Sequence, residues 1–486
     1  MIVKLLKFAG LALLALVVVL MERTMTYRSK QEKVKPVAHI RVSTDCFTHL
    51  SEAVKFRTIS YEEPKGCDTL VFEGLIHYLQ ATYPLTTSLL HPQRINKLSL
   101  LYTWKGRNPD LKPMILIGHM DVVPAVTDSG EQWEVPPYSG LIKDGAIWGR
   151  GSLDDKINVI GILEAVEILI KEGFTPERTL YLAFGHDEEV GGRNGASKIA
   201  EYLVNQHVKA AFLLDEGLVI TSGIVPGIEQ NVALIGVAEK GYASFELSVT
   251  AEGGHSSMPA KETPIGILAA AVSALEKHPM PSRLSVPVQQ FLDYIGPEMP
   301  FFYKLAFANR WLLSRLVIAT YEKSNAGTAI VRTTTAPTIF RSGTKDNVLP
   351  GYASAIVNFR ILPGDAITDV QTHILKTVND SRVKVQLSGH FSEAGEISHV
   401  DCPEFLVLEK SIRQIFPNTL TAPSLVIAGT DSRHYASITD NLYRFVPLIA
   451  GPDDLKRIHG VNEKMSCPNF INCICFFRQL ILNSNK

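Results

Sequence analysis

"PMILIGHMD", residues 113–121, decides how this chain folds. Met114 to Ile117 form a short apolar run that reads as a buried strand, and Gly118 ends its regular pairing. Residues two apart in a strand share a face, so His119 and Asp121 emerge side by side at the strand end. Two readings stay open on this segment alone. His119 is a metal ligand whose other ring nitrogen is held by the Asp121 carboxylate, or the two form a buried polar pair with no chemistry.

The flanking sequence repeats the pattern. "LSLLYTWKG" (98–106), "TLYLAFGHDEE" (179–189) and "AAFLLDEG" (210–217) are apolar runs that end in glycine or polar residues. Between them lies a helical pattern, "NVIGILEAVEILIKEG" (158–173). Strands alternating with helices predict an α/β domain with a mainly parallel sheet. Ligands in such sheets gather beyond the carboxyl ends of the strands. From about residue 240 the pattern changes. "YASFELSVTAEGG" (242–254) and "GYASAIVNFRILPG" (351–364) alternate as half-exposed strands, and "PIGILAAAVSALEKH" (264–278) and "ITDVQTHILKTVND" (367–380) read as helices. These predict an inserted α+β domain over 240–393, with the sheet domain formed by 46–239 and 394–486. "FLVLEKSIRQIF" (405–416) marks its resumption.

The chain has 486 residues, 46% hydrophobic and 20% charged, enough for more than one core. A net charge of −1 without a block of like charges gives no sign of a nucleic-acid surface. The first residues, "MIVKLLKFAGLALLALVVVLMER", carry early lysines and an apolar run from Phe8 to Met21. Residues 1–21 are expected to be a signal peptide or a retained signal anchor. The polar, basic segment 22–45 reads as a linker. The chain is expected to be secreted, or else membrane-anchored in the secretory or vacuolar lumen. Asn379 opens the single glycosylation sequon.

Four clusters of acids and histidines need one explanation: His119 with Asp121, Asp154 with Asp155, His186 to Glu189, and Asp215 with Glu216. Adjacent acids at a strand end repel one another, and partial burial penalises each. Singly, each cluster reads as a solvated loop or a helix cap. Together they point to a divalent cation, and two zinc ions can share one bridging carboxylate.

In order along the chain, "GHMDVVP", "WGRGSLDDK", "GHDEEVGG", "LLDEG", "GGHSSMP" and "RIHGVNEK" resemble the signature series of the dinuclear zinc carboxypeptidase/aminoacylase family. That family includes carboxypeptidase S. The resemblance spans about residues 45–480. "AEKG" (238–241), "IVRTTTAPTIF" (330–340) and "LKRIHGVNEK" (455–464) are similar to the branch of secreted N-fatty-acyl-amino-acid synthase/hydrolases. The resemblance implies a zinc-peptidase catalytic domain with an inserted lid or dimerisation domain, and two zinc ions per subunit. It implies His119, Asp154, Glu189, Asp215 and His459 as ligands, with Asp154 bridging. Asp121 would orient His119, and Glu188 would be the general base. His255 would hydrogen-bond the carbonyl oxygen in the transition state, in dimeric relatives from the partner subunit. Asn347, Arg360 and Arg433 would bind substrate. His434 is the competing choice for the last ligand.

The implied activity is zinc-dependent cleavage, and reversible formation, of N-fatty-acyl amino acids from fatty acids and amino acids. A lumenal carboxypeptidase or dipeptidase similar to carboxypeptidase S is the alternative. Expected partners are the small-molecule substrate, a second subunit in a homodimer, and a lipid or lipoprotein surface. "MPFFYKLAFANRWLLSRLVIATYEK" (299–323) places Phe302, Leu305, Leu313, Leu316 and Val317 near helical spacing. This stripe either packs within the insert or touches a lipid chain.

Overall fold

A computed structural model of the chain describes residues 1–62, 65–125 and 132–485. Its contacts divide it into two compact units. One comprises Ser29–Val237, Ser398–Ser424 and Thr430–Lys486. The other comprises Met1–Arg28, Ala238–Ile397 and Leu425–Gly429.

The first unit is built on a ten-stranded mixed sheet among the described residues. Its centre runs, side by side, Ser99–Trp104, Leu180–Gly185, Met114–His119, Phe212–Asp215 and Leu442–Arg444. The last four are mutually parallel, and Ser99–Trp104 joins antiparallel. Every residue of Met114–His119 is buried, which is why the segment reads as an unbroken apolar run. Helix Lys156–Lys171 packs on this strand and against the C-terminal helix Cys467–Ser484. It is therefore buried on nearly all sides.

Gly118 does not end the strand as the sequence suggests; it pairs with Phe184 and the ladder continues to His119. The glycine serves close approach instead. A Cβ there would stand 2.9 Å from Asp155 Oδ2, which accepts a hydrogen bond from the His119 amide at 3.2 Å.

The second unit holds a four-stranded antiparallel sheet in the order Thr334–Ser342, Tyr352–Ile361, Gly241–Thr250, Val383–Ser392. Helices Pro264–Lys277 and Ile367–Val378 cover it. Phe245, Leu247, Val357, Phe359, Leu268 and Ile374 fill the interface. Asn379 is exposed at the C-cap of the second helix.

The apolar N-terminus forms one helix, Ile2–Thr26. The boundary expected after residue 21 thus falls inside it, because Thr24 is buried against Asn309. The expected linker is also partly pinned. Gln31 donates to Thr421 O and accepts from Arg413, and the Val37 amide donates to Gln414 O.

Candidate metal centre

Three parallel strands end together, and the residues just beyond their ends build the site. His119 is the last residue of its strand, buried to 1% exposure. Its Nδ1 lies 3.0 Å from the Asp121 carbonyl oxygen and 3.4 Å from the Asp121 carboxylate. Its Nε2 lies 3.0 Å from Asp154 Oδ1. The other Asp154 oxygen, Oδ2, is 2.9 Å from His459 Nε2, which also lies 3.3 Å from Glu189 Oε2. One carboxylate is thus shared between two histidines on opposite sides.

Asp121 holds more than a ring. Its two oxygens accept from the amides of Glu188 and Glu189, each at 3.1 Å, and from Ser60 Oγ. The same carboxylate therefore sets both the imidazole and the short 3₁₀ turn Glu188–Val190 that carries the two glutamates. Asp187 anchors the start of that turn by accepting from the amides of Asn194 and Gly195, both at 2.7 Å. His186 lies 2.6 Å from Ser99 Oγ and packs edge-on against Phe72.

One expected ligand stands apart from the facing groups. Successive residues at a strand end point in opposite directions. Asp215 turns toward the fold, where it accepts from the amides of Ser432 at 2.7 Å and Glu216 at 2.8 Å. Its neighbour Glu216 turns the other way and joins His119 and Asp154, with ligand atoms all within 4.8 Å of one another. Asp154, Glu189 and His459 form the second such group. Asp154 belongs to both. His434, the competing histidine, is in neither group; its Nε2 lies 3.0 Å from Gly191 O. Arg433 donates to the same carbonyl at 3.0 Å.

Two residues escaped the sequence reading. Glu463, in "RIHGVNEK", is completely buried beneath the Asp154 turn. Its Oε1 accepts from the amides of Gly151, Leu153 and Asp154, and its Oε2 from Arg150 at 2.6 Å. Arg150 also donates to the carbonyls of His459 and Gly460, so one ion pair ties the Asp154 turn to the His459 loop. His459 itself adopts a left-handed backbone, φ 59°. Asp431, in "GTDSRHY", is buried against Gly192, whose φ is +67° and where any Cβ would collide with Asp431 Oδ1. An acid four residues past a candidate histidine was the available signal for Glu463. Nothing in the sequence marked Asp431 above its neighbours.

The electrostatics fit a cation. Burial alone would push His119 down, but hydrogen bonds to Asp121 and Asp154 hold it well above its usual value. His459 is raised to about 10 by Asp154 and Glu189. Burial opposes ionisation of Asp154, yet the two histidines hold it well below the carboxylate range. Burial drives Glu188 and Glu216 well above that range, with neighbouring acids adding to the shift. Glu189 is raised as well, chiefly by burial. The polypeptide alone thus needs protons on two histidines and several acids to sit together. Buried Glu189 Oε1 and Asp431 Oδ1 have no hydrogen-bond partner among the described residues. Two imidazoles and three carboxylates facing one another are the donor set of a dinuclear site for a borderline divalent metal.

Comparison with known proteins agrees. The model of peptidase family M20/M25/M40 matches residues 115–483. The chain belongs to that family. It is 40% identical to a probable carboxypeptidase S-like protein of Dictyostelium discoideum, over 98% of this chain and 93% of that one. It is also 40% identical to the N-fatty-acyl-amino acid synthase/hydrolase of Xenopus tropicalis, over 90% of this chain and 85% of that one. Its fold resembles an M20 family metallo-carboxypeptidase from Sulfolobus solfataricus, with a TM-score of 0.64 and 18% identity, covering 90% and 99% of the two chains. This M20 chain is a metal-dependent hydrolase, and the expected fold class holds: a mixed sheet with a parallel centre.

The remaining expected residues lie in the second unit. His255 is exposed on a two-residue strand, with Ser257 Oγ 2.8 Å from its Nδ1. That strand pairs with Val348–Leu349, and Asn347 accepts from the Ser256 amide at 3.3 Å, so His255 and Asn347 are neighbours. Arg360 is half-buried in its strand, over the ring of Tyr242 at 4.8 Å. The expected stripe in 299–323 splits. Val317 packs with Val288 and Leu292, while Phe302 and Leu316 face outward.

Proposed function

We propose that the protein is a zinc-dependent amidohydrolase that cleaves, and reversibly forms, N-fatty-acyl amino acids. The observation that carries this reading is Asp154 shared between His119 and His459, with Glu188 on the short turn that Asp121 holds next to Glu189. The 40% identity to an N-fatty-acyl-amino acid synthase/hydrolase directs it to this substrate class. His119, Glu216 and Asp154 would hold one zinc, and Asp154, Glu189 and His459 the other. Bound zinc supplies Lewis acidity toward the carbonyl oxygen and lowers the pKa of water.

Glu188 takes a proton from the attacking water as its oxygen bonds to the amide carbon. When the carbon–nitrogen bond breaks, Glu188 returns that proton to the departing amine. His255 donates a hydrogen bond to the carbonyl oxygen in the transition state, supplied by the partner subunit of a homodimer. Arg360 and Asn347 bind the amino-acid carboxylate, and Arg433 contacts substrate. The protein works in the secretory lumen or beyond it, glycosylated at Asn379, with the outward residues of 301–316 in contact with lipid.

A lumenal carboxypeptidase is the second reading, favoured by the match to a carboxypeptidase S-like protein over nearly the whole chain. Comparing kcat/KM for N-acyl phenylalanines from acetyl to oleoyl with that for dipeptides separates the two. Each methylene that becomes buried contributes about 0.8 kcal/mol, so the acyl series should rise steeply. A flat series with faster dipeptides would select the peptidase. Glu188→Gln should keep its metal and lose about 10²-fold or more in turnover. Near-normal turnover at full metal occupancy would remove Glu188 from its role.

A further inference from the structure

Helix Ile2–Thr26 is the one helix among the described residues that is long and apolar enough to cross a membrane. A detached leader would need no fixed partner in the folded protein. This helix has several, all within its own unit. Asn309, completely buried, donates through Nδ2 to Leu20 O at 3.1 Å and to Thr24 Oγ1 at 3.2 Å. Arg23 Nε donates to Ala308 O at 3.3 Å. Beyond the helix, Tyr27 OH donates to Leu292 O at 2.6 Å and accepts from Arg310. Arg310 is in turn paired with Asp293 at 2.5 Å.

This latch grips residues 20–27 and leaves the rest of the helix bare. From Ile2 to Met21 the helix is about 30 Å long, the thickness of a bilayer's hydrocarbon core. Lys4 and Lys7 lie near its far end, where long basic side chains reach the headgroups.

The latch also sets what lies beside the membrane surface. Asn309 joins helices Phe301–Ala308 and Arg310–Tyr321. Phe301–Ala308 has no buried residue, and Phe302 is 82% exposed. On the next helix Trp311 and Leu316 are 56% and 60% exposed. Exposed aromatic and leucine side chains gathered at the foot of a spanning-length helix suit the headgroup boundary. They do not suit water.

We propose that the N-terminal helix is retained, and that with the outer faces of Phe301–Ala308 and Arg310–Tyr321 it seats this unit in a phospholipid bilayer. The proposal rests on the lipid contact given above, and is independent of the reaction.

Trp311 is a built-in reporter: of the four tryptophans, Trp104 and Trp148 are buried, Trp133 is half-buried in the other unit, and Trp311 is 56% exposed. The full chain would be reconstituted in phosphatidylcholine vesicles, plain or brominated at acyl carbons near the headgroup. Brominated lipid should lower tryptophan emission, and the drop should vanish in Trp311→Phe. Mass analysis of the membrane fraction of cells that express the full chain should find chains that still include Leu20 and Thr24. Unquenched emission would overturn the seating, as when a second copy covers the face. A drop that survives Trp311→Phe would do the same. Quenching of Trp311 in chains cut between residues 21 and 26 would overturn retention while leaving lipid contact standing.

Discussion

Replacing Glu463 by Gln keeps the size of the side chain and removes its charge, which tests what holds the bridging aspartate in place. Glu463 accepts four hydrogen bonds, three from the backbone of the Asp154 turn and one from Arg150. Gln has one acceptor oxygen. If that oxygen serves the turn amides, the Gln NH₂ faces the Arg150 guanidinium, donor against donor. If it faces Arg150, three buried amides meet an NH₂ group instead. The first arrangement is the cheaper, and it still strands a buried cation, at about 3–5 kcal/mol. Arg150 is 2% exposed, so water compensates little. Its two bonds to the His459 loop would slacken, and metal affinity should fall about 10–100-fold. Urea denaturation of metal-free protein reads the first effect, and competition with a chelator reads the second. A Glu463→Gln protein with wild-type values in both would refute the reasoning.

Two further outcomes are expected from the geometry. Glu216→Gln, Glu189→Gln and His459→Ala should each lower the metal content of purified protein more than Asp215→Asn or His434→Ala; the reverse order for the 215/216 pair would restore Asp215 as the ligand. Glu409, 1% exposed and bonded by Thr421, is pushed up by burial to about 7, against an unfolded value near 4.5. The native state therefore holds this proton more tightly, so its contribution is fully present below about pH 4.5 and is lost as pH rises through about 7, on the order of 3 kcal/mol. Glu409→Gln should flatten the fall in urea midpoint over that window, and parallel pH profiles for the two proteins would contradict the assignment.

The sequence by itself determined the strands, the covering helices and most of the centre. Met114–His119, Leu180–Gly185 and Phe212–Asp215 are buried on both faces, so each is written as an apolar run that ends where the chain meets polar chemistry. That punctuation marked His119, Glu188, Glu189 and Asp215 as candidates before any fold was known; Asp154 stood in a glycine-flanked turn, and the family resemblance supplied the expected roles. Tertiary structure decided what a linear pattern cannot carry. The choice between Asp215 and Glu216 depends on which way each side chain leaves the strand end, and on the Ser432 amide that occupies Asp215 from 217 residues away. Glu463 and Arg150 lie 313 residues apart, and their pairing becomes visible only when the two loops meet. The N-terminal apolar run has the same composition whether it is a leader or an anchor. The proposed anchor rests on the Asn309 contact to Leu20, a hydrogen bond that depends on position in space and leaves no trace in hydropathy.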